Sequence, residues 1–236
     1  MKHTLSHREI LDLAVGIGYH ILKYGGEINR VEDTVMRIGL AYGMDFVHVF
    51  AIASSIVITM EKDGVSLTQT RRVRACSTNL DKVDCFNALS RRVCEETPSY
   101  QTVQEEIKAI EGRHLYPSWV LVLAYAIIGG SFSVFFGGGI PEFLAGFLAG
   151  ILVRLVVTLF HSFLKSPFFS NVAGSAATVI LIKLFSLSYP ALNTEVATIG
   201  VLMNLVPGVL LTNCIRDFVA TDYVAGTAKI IEAFFT

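Results

Sequence analysis

The 236-residue chain is 53% hydrophobic and 17% charged, with a mean hydropathy of +0.56. That is too apolar and too poor in charge for an ordinary soluble domain. The net charge of −1 lacks the basic excess of a nucleic-acid footprint, which excludes that class of partner. Charge is also unevenly placed: residues 1–118 hold 14 of the 19 Lys and Arg and 15 of the 20 Asp and Glu. The expected organisation is a polar domain over 1–117, then a transmembrane domain over 118–236.

The opening stretch "MKHTLSHREILDLAVGIGYH" has Arg8, Glu9 and Asp12 among its apolar positions, so it lacks the continuous apolar core of a signal peptide. Ser6 followed by Glu9 predicts a capping box. It opens a helix whose stripe is Ile10, Leu13, Ile17, Ile21 and Tyr24, ended by Gly25-Gly26. A second helix carries Ile28, Val31, Val35 and Ile38 on one face and closes at Gly43. From Met44 the pattern turns β-branched, and Lys62-Asp63-Gly64 marks a hairpin within two or three strands. Asn79 or Asp81 starts a third helix to about Glu96, Pro98 interrupts, and a polar helix runs to about Arg113. The fold class predicted for this half is α+β. Cys76, Cys85, Cys94 and Cys214 show neither CxxC nor histidine spacing, so free thiols are expected and no metal.

Four apolar runs, 119–137, 142–161, 167–188 and 196–214, match the ~20 residues that a bilayer demands. Tyr116 and Trp119 stand at the first entrance, where interfacial aromatics belong. A fifth run, 223–236, is too short to cross alone and is expected to be partial. The predicted membrane half is therefore an all-α bundle of four to five helices. Loops near 137–141 and 188–195 lack Lys and Arg, whereas Lys165, Arg216 and the N-terminal half fall on the other side. The positive-inside rule then sets the N-terminal half in the cytoplasm of a multi-pass membrane protein.

Several residues in these runs are costly in hydrocarbon. Glu142, Gly146, Gly150 and Arg154 recur every fourth residue, and the small ones allow close approach of a neighbouring helix. Arg154 lies ~18 Å along the helix from Glu142. It either snorkels to the headgroups or faces a wet cavity where it holds a carboxylate. Asn171, Ser175 and Thr178 form a polar stripe that serves either helix packing or a pathway; Lys183, off that stripe, reads as a snorkel. In "NLVPGVLLTNCIRD", Pro207 removes a backbone donor and Gly208 loosens the helix, so the fourth span is expected to break there. Asn204, Gly208 and Thr212 would share one face, with Asn213 near Arg216 and Asp217. Transporters place such breaks at substrate sites. Asp217, with Asp222 beyond it, is the candidate gate or coupling site, held by Arg216 or by Arg30.

With these residues placed, the chain resembles the N-terminal, larger component of the threonine/serine exporter family. The resemblance rests on "GGEINRVEDTVMRIGLAYGM" (25–44), "TQTRRVR" leading to "NLDKV", and "LVPGVLLTNCIRDFVATDYVAGTAK" (205–229). It implies a cytoplasmic α+β domain fused to a five-helix bundle. It further implies a split exporter whose second small transmembrane subunit supplies the other bundle; a homo-oligomer is the alternative. The substrates it implies are threonine- and serine-like amino acids, and a deep arginine equally suits short dicarboxylates such as succinate. It also colours Gly26, Glu27, Arg30, Glu32 and Thr34 as a cytoplasmic motif. From spacing alone, Glu27, Arg30, Thr34 and Arg37 make either a solvated face with ion pairs or a contact used in gating. Arg71, Arg72 and Arg74 face that motif or form an exposed edge.

No GxSxG, HExxH or P-loop is present, so no enzyme activity and no cofactor are expected. A membrane-anchored hydrolase or a sensor using the cytoplasmic domain is the alternative. Without an ATP motif, coupling would be to an ion gradient, most simply protons.

Overall fold

The computed structural model describes residues 5–74, 77–113, 116–164 and 166–235; Cys76 and Lys165 lie outside the described residues. The protein is mostly helical, with one three-stranded sheet. It forms two compact units: residues 1–113 with 209–233, and residues 114–208 with 234–236.

In the first unit, α1 (His7–Lys23) opens with the expected capping box. The Ser6 hydroxyl accepts from the Glu9 N–H, and the Glu9 carboxylate accepts from the Ser6 N–H at 2.8 Å. Ile10, Leu13, Ile17 and Ile21 are buried along one stripe, as a 3.6-residue period requires. Helix α2 (Ile28–Ala41) buries Ile28, Val31, Val35 and Ile38 against the same core. The strands β1 (Phe46–Ile52), β2 (Ser55–Lys62) and β3 (Val65–Arg72) form an antiparallel meander with β2 central. Asp63 (φ 52°) and Gly64 (φ 73°) both take left-handed backbone between the paired Lys62 and Val65. That is the two-residue turn whose twist matches a hairpin. Ile56, Ile58 and Met60 of β2 point into the core. Helix α3 (Leu80–Glu96) is capped by the Asn79 side chain, and α4 (Tyr100–Glu111) by Ser99. Arg71 lies over the Tyr19 ring at 3.9 Å, so it is engaged with α1. Helices α9 (Gly208–Val219) and α10 (Tyr223–Phe234) contribute residues 209–233 to this unit, and Ala225 is buried in its apolar core.

The second unit consists mainly of α5 (Ser118–Phe135), α6 (Ile140–Leu164), α7 (Pro167–Ser188) and α8 (Thr194–Leu202). The first three are long and apolar enough to cross a membrane. Only 22%, 28% and 22% of their most apolar windows are buried within the protein, and residues such as Phe135, Leu144, Leu155, Phe163 and Ile180 face outward. Apolar exposure on that scale calls for lipid. The fourth expected span is not one helix: α8 ends at Leu202, residues 203–207 are non-helical, and α9 starts at Gly208. The fifth has 12 residues.

Close backbone approach joins α5 to α6. A Cβ on Gly150 would lie 2.3 Å from the Tyr125 carbonyl oxygen, and one on Gly146 would lie 2.7 Å from that of Gly129. Glu142, at the start of α6, accepts from the Gly139 N–H (2.7 Å) and the Asn193 N–H (2.9 Å), tying the α5–α6 turn to the start of α8. Gly150→Ala should therefore destabilise the protein by about 1–3 kcal/mol, as overpacking does, whereas Gly208→Ala, whose added Cβ meets nothing within 4 Å, should not. Thermal unfolding of the two variants in detergent checks this contrast.

Candidate functional site

The residues singled out above fall into two groups, one in each unit. In the second unit the group is organised by Tyr125 of α5, which sequence reasoning missed. The Arg154 guanidinium carbon stands 5.4 Å from the Tyr125 ring centroid, within cation–π range. Asn204 donates to the Tyr125 carbonyl (3.3 Å) and to the Val201 carbonyl (3.1 Å). Its amide oxygen is buried without a donor among the described residues, a state costing about 1–3 kcal/mol if nothing completes it. Arg154 is half-buried, and among the described residues it forms no ion pair. Arg154 and Asn204 meet Tyr125 at its ring and at its main-chain oxygen respectively, and a guanidinium with spare donors together with an unsatisfied amide oxygen is chemically suited to a small molecule bearing a carboxylate and a donor group.

The break in the helix is closed locally. The Asn204 N–H donates to Val201, the Leu205 N–H to Leu202, and the Gly208 N–H to the Val206 carbonyl at 2.8 Å, a three-residue turn about Pro207. The non-helical segment precedes Gly208, so Asn204 and Thr212 do not share a face of one continuous helix as expected. On α7 the Ser175 hydroxyl donates to the Asn171 carbonyl (2.9 Å) and Thr178 to the Gly174 carbonyl (2.9 Å). These hydroxyls turn back to carbonyls of their own helix.

In the first unit the group is charged. Asn213 of α9 donates to the Gly25 carbonyl at 3.1 Å, and Arg216 pairs with Glu27 at the start of α2. Asp217 does not pair with Arg216 or Arg30. Its partner is Lys229 of α10, at 2.7 Å, with side chains 3% and 7% exposed. The turn between them holds Thr221 at φ 67°, and Asp222 caps α10 by accepting from the Ala225 N–H at 3.2 Å. Lys229 is a further residue missed in the sequence. The signal was available: a lone lysine in an apolar run needs an opposite charge, and Asp217 and Asp222 precede it.

The cytoplasmic motif splits by role. Glu27 goes to Arg216, and Glu32 accepts from the Ala51 N–H of β1 at 2.8 Å. Burial pushes the Glu32 carboxyl up, with the Ala51 N–H opposing and the charge of Asp222 adding to the rise. Arg30 is exposed, Thr34 is buried at 8%, and both line a cleft between α2 and α3. The motif is therefore not a uniformly solvated face. Gly25, Gly26, Asn213 and Lys229 border a cavity of about 20 Å³, room for about one water and not for a metabolite. Among the described residues no cluster of three or more metal-ligating side chains occurs.

Against known proteins, a family model described as "Putative threonine/serine exporter" matches residues 12–236. The "Probable succinate transporter subunit YjjP" of Klebsiella aerogenes is 25% identical over 94% of this chain and 86% of its own length. That of Escherichia coli strain K12 is 25% identical over 96% and 88%. The "Pheromone-regulated membrane protein 10" of Zygosaccharomyces rouxii is 23% identical over 96% of this chain but only 23% of its own length. No solved structure matches the chain. With the model covering nearly the whole sequence and three helices fit to cross a bilayer, the chain is a membrane transport protein that belongs to the threonine/serine exporter family.

Proposed function

We propose that the chain is one subunit of a secondary exporter that moves small carboxylate-bearing metabolites outward across the bacterial inner membrane. The substrate class is threonine- or serine-like amino acids, or short dicarboxylates such as succinate. The observation that carries this reading is the Arg154–Tyr125–Asn204 group beside a broken apolar helix. Broken helices at mid-membrane are where transporters bind substrate. Succinate enters through the relatives named as succinate transporter subunits, and the amino acids enter through the family. In this reading Asn171, Ser175, Pro207 and Gly208 border the path.

A partner follows from the word subunit in those names and from how alternating access works, one repeat rocking against another. We take the partner to be a small transmembrane protein supplying the second bundle. With it, cells should export labelled succinate or threonine; this chain alone in liposomes should not. Arg154→Gln should cut export at least about tenfold, the 1.4 kcal/mol expected for losing one charge-assisted hydrogen bond. Export by the chain alone would overturn the split-exporter reading.

The N-terminal half is proposed to be cytoplasmic, on the strength of the Lys- and Arg-free outer loops. Impermeant maleimide added to intact cells should therefore leave Cys85 and Cys94 unlabelled, and efficient labelling would reverse the orientation.

Asp217 with Lys229 is the proposed proton-coupling pair, because buried, paired charges in such a protein mark ion pathways. Asp217→Asn leaves Lys229 buried and unpaired, and should destabilise the protein by about 3–5 kcal/mol. The double variant Asp217→Asn/Lys229→Gln should regain stability. If the pair couples protons, the double variant stays export-dead in a gradient-driven assay. If it is only structural, export returns with stability.

A further inference from the structure

Helices α2 and α3 present matching polar stripes. Arg30, Thr34 and Arg37 on one, and Asn87, Arg91 and Cys94 on the other, both follow i, i+4, i+7 spacing, which keeps a helix face in register. The two stripes line one cleft of about 400 Å³ in the first unit, within the size range of small-molecule sites. Its buried polar lining is unusual: Asn87 is 6% exposed, Ser90 7% and Thr34 8%. The Ser90 hydroxyl donates to the Asn87 carbonyl at 2.8 Å, and both residues line the cleft.

The charges are arranged in the same sense. Arg37 is neutralised by Asp33, one turn earlier on α2, at 2.9 Å. Arg30 and Arg91 have no carboxylate partner among the described residues. Glu95 is the remaining acid at the cleft, and burial pushes the Cys94 thiol up, keeping it neutral. Two free guanidiniums against one carboxylate leave the cleft with a positive excess, above buried neutral donors.

We propose that this cleft is a second binding site, separate from the export path, for a small metabolite bearing an oxyanion, either a carboxylate or a phosphate. Arg30 and Arg91 hold the oxyanion through their planar forks, and the Asn87 amide and Thr34 hydroxyl complete the shell. Such a site lets the polar unit read the level of a small anion independently of what the exporter carries.

The test uses the full chain in detergent, with sodium succinate and inorganic phosphate as probes at constant ionic strength. Alkylation of Cys94 is followed peptide by peptide against Cys85, and equilibrium dialysis of the radiolabelled probes reads binding directly. At ten times its Kd, a bound probe should slow Cys94 alkylation by about tenfold, by mass action, and leave Cys85 unaffected. Protection by succinate assigns a carboxylate ligand, and protection by phosphate assigns a phosphate. Arg30→Gln and Arg91→Gln, both at exposed positions, should each abolish Cys94 protection by either probe and phosphate binding in dialysis, without moving the unliganded Tm. Arg154→Gln should retain both, which separates this site from the export path. Absence of Cys94 protection by both probes overturns the proposal. So does Cys94 protection that survives the Arg30→Gln/Arg91→Gln double variant, or that vanishes in Arg154→Gln.

Discussion

A helix that enters hydrocarbon must satisfy its own backbone, and the fourth apolar run of this chain departs from one continuous helix at residues 203–207. Much else depends on the departure. It ends α8 where Asn204 can reach the Tyr125 carbonyl, and it starts α9 anew, in a segment that belongs to the first compact unit. Without the interruption, 196–214 would be one apolar rod, and Asn204 and Asn213 would be two polar residues in lipid. With it, Asn204 engages α5, and Asn213 engages the end of α1 through the Gly25 carbonyl.

The two costly cations of the apolar half are handled differently, and the difference has chemical content. Lys229 has a carboxylate at 2.7 Å in a setting that excludes water from both partners, so its charge is neutralised internally. Arg154 has only the face of Tyr125 among the described residues. A guanidinium has five donors, and an aromatic face uses none of them. An account in which substrate carboxylate completes Arg154 explains why one cation is sealed and the other is left with donors to spare.

Where the sequence was legible, a local period or a local chemistry was at work. The stripe of α1, the Ser6–Glu9 box and the Lys62-Asp63-Gly64 turn each depend on neighbours within four residues, and each lies where the spacing put it. The break in the fourth span was visible through Pro207, but its start was not. The Asn204 side chain takes the Val201 carbonyl, competing with the helix and shifting its end by several residues. The Asp217–Lys229 pair was misread because it spans a turn with Thr221 in left-handed backbone, and no periodicity runs through such a turn. Tyr125 was invisible for another reason. Its part in the site is played by a ring face and a main-chain oxygen, and the latter carries no sequence signature at all.

The central claim is that the interrupted segment beside Tyr125 lines a water-filled substrate path. The most direct measurement is alkylation of Asn204→Cys by a small water-soluble reagent in membranes containing the complete transporter, with Val206→Cys, an exposed apolar position of the same segment, as comparison. The account predicts that position 204 reacts and that transported substrate protects it, while position 206 is indifferent to substrate. An inert Cys at 204, or reactivity that substrate leaves unchanged, would contradict it and make the break a structural kink.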